Sequence, residues 1–187
     1  MLASLIFAAA LATEPTMLPT PFTADQIRDA MPVGAHLLIR TRSEAGEGSL
    51  DWTVTEATAT HVRLRTLVTP EGGAPLEPHE LYTSWSELRT HAQFSSAEAR
   101  RTRARVNTPF GKLDGWRYVV RRTDDEGLRS REVMWFADAM PGPPVRMWTL
   151  TTGGSRWWFE QVERTPLPGE AAPTPPDQDT ATRAPHG

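Results

Sequence analysis

Five histidines, a few glycine-bearing turns and one acidic run are the places where this sequence could hold chemistry. His36, His61, His79, His91 and His186 include no two members three or four apart, so no helix brings a pair of imidazoles to one metal. His79-Glu80 opens like a zinc-protease signature, but Thr83 stands where the second histidine belongs. No Gly-x-Ser-x-Gly elbow is present, and Gly153-Gly154-Ser155 reads as a hairpin turn. Gly111-Lys112 lacks both the upstream glycine and the following hydroxyl of a phosphate loop. Gly46 and Gly48 lack the third glycine of a dinucleotide loop. Asp124-Asp125-Glu126-Gly127 lacks the alternating oxygen ligands of a calcium loop and reads as a solvated turn. No catalytic residue, metal ligand or cofactor is assigned. An enzyme of unrecognised type is a third reading, and it requires titratable groups converging in a cleft, with His61 or His91 beside an acid.

Arginine is the other chemically active residue type. Nineteen of the twenty basic residues are arginine. Residues 98 to 122 hold eight basic residues against Glu98 and Asp114, although the whole chain has a net charge of −3. Arg101, Arg103 and Arg105 alternate with Thr102, Ala104 and Val106, which puts them on one face of a strand as a candidate anion-binding row. Anionic headgroups or acidic polysaccharide fit an exported protein better than nucleic acid, which is not expected as a partner. The plainer expectation is a solvated edge strand kept from aggregating by its charges.

The elements that position these residues follow from periodicity. Thr23 with Gln26 three residues on, and Phe22 with Ile27, give a capping box and a hydrophobic staple for a helix from Ala24 to about Met31. Alternation then predicts strands at His36–Arg42, Leu50–Glu56 and His61–Val68. Pro70 to Pro78 reads as a loop, and Ser84-Trp85-Ser86-Glu87 opens a second short helix to about His91. Ser95 or Ser96 can start one more helical turn. Further strands are expected at Arg103–Thr108, Trp116–Arg122, Leu128–Ala137, Val145–Thr151 and Arg156–Glu163, joined by turns. The fold class is therefore mainly β (α+β): a curved antiparallel meander or half-barrel sheet with one or two short helices.

The late strands are apolar on both faces. Val133, Trp135 and Ala137 alternate with Met134 and Phe136; Val145 and Met147 alternate with Trp148 and Leu150. A strand of that kind needs both faces covered, one by the core and the other by a helix, a partner or an apolar ligand. The helix at 24–31 and the segment near Trp85 are the candidate covers. A groove walled by Trp116, Tyr118, Trp135, Trp148 and Trp157, with arginine at its rim, is the candidate ligand site.

The succession Thr108-Pro109-Phe110-Gly111, Gly115-Trp116-Arg117-Tyr118-Val119-Val120, Glu132-Val133-Met134-Trp135-Phe136-Ala137 and Pro141-Gly142-Pro143-Pro144-Val145-Arg146-Met147 resembles exported bacterial domains of unknown function. These in turn resemble the half-barrel of the periplasmic lipoprotein carriers, a curved antiparallel sheet with helices plugging its concave side. The resemblance covers residues 105 to 150. It implies a fold and an envelope location, and no functional residue is carried over from it.

Composition sets the frame. The chain has 187 residues, 39% hydrophobic and 23% charged, the profile of one globular domain with tails. With no cysteine there is no disulfide scaffold and no thiolate site. Residues 1–14 read as a signal-like segment closing on Ala10-Leu11-Ala12, with no basic residue before the apolar run, which is too short for the ~20 residues of a transmembrane helix. Residues 15–21 read as a linker, 22–165 as a single β-rich domain, and 166–187 as a proline-rich tail too poor in apolar residues to order itself. The expected location is periplasmic or extracellular. The first functional reading is a module that binds or carries an apolar or lipidic ligand in the cell envelope. The alternative is a non-catalytic interaction or structural domain with an envelope protein partner.

Overall fold

The computed structural model describes residues 16–165; the signal-like segment 1–14 and the tail 166–187 lie outside the described residues. Nine strands form one antiparallel sheet: β1 (His36–Ser43), β2 (Gly46–Ala57), β3 (His61–Pro70), β4 (His79–Ser84), β5 (Ala99–Thr108), β6 (Gly111–Thr123), β7 (Arg129–Ala137), β8 (Arg146–Thr151) and β9 (Arg156–Thr165). Their order is β4-β3-β2-β1-β9-β8-β7-β6-β5. Two runs of hairpins are joined where the last strand returns beside the first. The sheet is an open curl, with β4 and β5 as its unpaired edges. No helix among the described residues is long and apolar enough to cross a membrane.

Two short helices lie on the concave face. α1 (Ala24–Ala30) starts at the expected capping box, with both Thr23 and Gln26 in place and Ile27 buried. α2 (Trp85–Thr90) starts at a second complete capping box, Ser84 with Glu87. Trp85 is buried, and its Nε1 donates to the Thr58 carbonyl at 3.0 Å, which satisfies the indole on burial. Both helices are too short to persist alone, and packing on the sheet holds them.

The segment before α1 is tied down as well. The Leu18 amide donates to the Phe94 carbonyl at 2.8 Å and the Ser96 amide to the Thr16 carbonyl at 2.8 Å. The expected helical turn at Ser95 is the single turn closed by the Ala99 amide on the Ser95 carbonyl, at 2.9 Å, just before β5.

Strand β4 fills the stretch between the loop expected at Pro70–Pro78 and the second helix, for which the sequence predicts no element. His79, Glu80, Leu81 and Tyr82 are all exposed, so the strand carries no burial signature, and only pairing with β3 defines it. The two strand faces have separate cores. The main one, on the concave face, gathers Leu37, Val54, Leu64, Tyr118, Val120, Met134 and Phe136 under Phe22, Ile27 and Met31 of the α1 region and Trp85 of α2. A smaller one, on the convex side near the β7–β8 turn, joins Val106, Ala137, Met140 and Val145.

Candidate functional site

Pairing registers decide which aromatic residues meet. Trp116 stands opposite Phe136 and Arg117 opposite Trp135 on β6 and β7. Val133 stands opposite Trp148 on β7 and β8, and Trp148 opposite Trp158 on β8 and β9. Because opposite residues share a face, Trp116, Tyr118, Phe136 and Trp157 point to the concave side, and Trp135, Trp148 and Trp158 to the convex side. The five expected groove residues are therefore divided: Trp116, Tyr118 and Trp157 on one face, Trp135 and Trp148 on the other.

The concave face holds a cavity of about 500 Å3 between the sheet and the helices. Its floor is Leu50 and Trp52 of β2, Leu64 and Thr66 of β3, Met134 and Phe136 of β7, Met147 of β8, and Trp157 and Phe159 of β9. Phe22, Ile27 and Met31 form one wall, and Leu88 and Ala92 another. Of the expected five, only Trp157 lines it. Tyr118 is fully buried beneath Phe94 and Phe136, with ring centroids 5.6 and 5.5 Å away. Trp116 lies under Arg101, whose guanidinium is 3.4 Å from the ring centre. The alternation of Met134 and Met147 with the tryptophans was the available signal for the true lining, and it needed the register to be read.

One side of the cavity is polar. Arg89 and His91 at the end of α2 line it, together with Arg122 and Glu132, which approach to 3.9 Å. The arrangement is an apolar chamber with two guanidiniums at its edge, suited to an apolar body with a polar head. A larger groove of about 660 Å3 lies over Trp148 and Trp158 on the convex face, but no helix roofs it, and it is surface relief rather than a chamber.

The candidate anion row lies on one face of β5, as its alternation required, yet two of its members are already paired. Arg103 grips Asp138 through two bonds of 3.1 and 2.6 Å, and Arg105 grips Asp114 at 2.7 and 3.0 Å. These partners hold the two arginines above their ordinary pKa, chiefly through the side-chain hydrogen bonds. Arg101 is engaged by Trp116.

Histidines do not converge among the described residues. His36 meets Asp51 at 2.9 Å, His61 stacks on Tyr82, and His91 stands exposed at the cavity edge. Among the described residues no three histidine or acidic side chains gather as metal ligands. No protein-family model matches the sequence, and no curated protein is significantly similar to it.

Proposed function

We propose that this chain is an envelope protein that binds or carries an apolar or lipidic ligand in the concave chamber of its sheet. The observation that carries the reading is the cavity of about 500 Å3, walled by aliphatic and aromatic side chains and roofed by α1 and α2. Binding chambers for small molecules run to roughly 300–1,000 Å3 with mainly apolar walls and few polar groups. Arg89 at the edge, beside the loosely paired Arg122 and Glu132, suits a ligand whose apolar part ends in an oxygen-rich head. The exported setting agrees with the signal-like start of the chain and with the resemblance of residues 105 to 150.

Native mass spectrometry of the protein purified from its host's envelope fraction, followed by organic extraction, tests the proposal. A copurifying lipid of defined mass, absent from a Thr66→Trp variant whose indole fills the chamber, is the expected result. A protein that stays unliganded, and also stays so after incubation with host lipid extract, contradicts it.

A further inference from the structure

The convex face carries a second feature that the chamber does not use. Arg121 on β6 and Arg131 on β7 are direct cross-strand partners. Like charges placed opposite each other destabilise a sheet. Neither meets a carboxylate within ion-pair distance among the described residues, and the same holds for Arg117 and Arg156.

Beside them the cross-strand pair Trp148–Trp158 floors the open groove, with Leu150 exposed next to it. Arg131 lies 5.5 Å over the Trp148 ring, and Arg117 lies 5.7 Å over Trp135. The acids on this face are fewer: Glu160 binds Arg146 and Glu47 binds Arg42, while Glu44 at the groove and Glu98 beside Arg117, Arg121 and Arg131 make no ion pair among the described residues. What remains is an unroofed aromatic shelf on which Arg40, Arg117, Arg121, Arg131 and Arg156, none of them in an ion pair among the described residues, outnumber Glu44 and Glu98.

We propose that this shelf docks the protein on an anionic lipid bilayer surface. The charge is complementary, since arginines near an anionic membrane are attracted to its phosphates, and the like-charge pair that costs the free fold is relieved there. Tryptophan and leucine between the arginines suit the interfacial layer, where an indole buries its apolar body and keeps its N–H wet. The outward curve of the sheet presents the shelf as a crown to a plane and gives it no walls to grip a strand of nucleic acid. With the chamber on the opposite face, docking leaves the concave side free.

Cosedimentation with vesicles tests this, using phosphatidylcholine alone and phosphatidylcholine mixed with phosphatidylglycerol. The expected result is binding to the mixed vesicles only, lost near 1 M salt, where the screening length falls to about 3 Å. Arg121→Gln with Arg131→Gln should weaken it about tenfold or more while leaving thermal stability equal or higher. Trp148→Ala should weaken it as well. Arg103→Gln with Arg105→Gln should leave it unchanged, because those charges are already paired on the other face. The chamber-filled Thr66→Trp protein should dock like the wild type, so the surface is judged apart from the cavity. Equal binding to uncharged vesicles, or unchanged binding by the Arg121/Arg131 variant, overturns the proposal. So does failure to bind the mixed vesicles, with tight binding of a single-stranded oligonucleotide or of a second copy of the chain then naming the shelf's true occupant.

Discussion

The phenol of Tyr118 donates to the carbonyl of Pro19 at 2.5 Å, tying the floor of the concave sheet to the segment that leads into α1. The ring is fully buried, and desolvation pushes its pKa up to about 12, against a smaller lowering by Arg101. An acid raised in this way favours folding while neutral. The unfolded chain ionises above ~10 and the folded one only near 12, so this contribution is complete below pH ~10 and is lost as pH rises through that window. Tyr118→Phe should cost about 1 kcal/mol at neutral pH and remove that part of the alkaline loss. Urea unfolding followed from neutral to alkaline pH checks both; an unchanged alkaline slope would mean another group sets it.

Gly115 is required by the close approach of β6 and β7. A Cβ there would sit 1.9 Å from the Phe136 carbonyl oxygen and 2.9 Å from the Ala137 Cα, both of them backbone atoms that cannot swing aside. Gly115→Ala should destabilise by more than about 3 kcal/mol, in the range of severe core lesions, and denaturant melts would read it directly. A loss under ~1 kcal/mol would mean the two strands part more easily than their pairing indicates.

Trp52 gives the opposite case. Its indole Nε1 is buried without a hydrogen-bond partner among the described residues, while the ring lines the chamber. An unmet buried donor costs about 1–3 kcal/mol, and phenylalanine keeps most of the apolar wall without that donor. Trp52→Phe should therefore be neutral or stabilising in thermal melts, whereas Trp52→Ala should be destabilising.

Much of the fold was legible because it depends on local chemistry. Both capping boxes, and the hairpins at Asp124–Gly127 and Gly153–Gly154, are short-range signals that the structure keeps. The assignment of faces was not legible in the same way. Trp116 and Trp135 had been placed on one wall, yet the β6–β7 register pairs Trp116 with Phe136, and a difference of one residue turns a side chain to the other face. The arginines of β5 were legible as a row but not as pairs, because Asp138 lies 35 positions from Arg103. The chamber itself depends on the return of β9 beside β1, a pairing of distant segments that no local pattern encodes.

Acid should act on α2. Hydrogen bonds to Glu87 from the Ser84 amide first, then from the Thr83 and Ser84 hydroxyls, lower its pKa from 4.5 to about 2. A depressed carboxylate stabilises the fold above the unfolded value and loses that contribution as pH falls from 4.5 toward 2. The advantage of wild type over Glu87→Gln should therefore be largest near neutrality and shrink through this window. Thermal melts across it give the comparison, and a constant difference at every pH would show that the charge on Glu87 contributes nothing.

The central claim is that the concave chamber takes an apolar chain, and methionine methyl NMR tests it most directly. Met31, Met134 and Met147 line the chamber, while Met17 is exposed elsewhere and Met140 belongs to the small convex core. On titration with a long-chain fatty acid, the methyl signals of Met31, Met134 and Met147 should shift together and saturate, with Met17 and Met140 unmoved. Signals that stay in place through the titration, or shifts confined to Met17 and Met140, would contradict the claim.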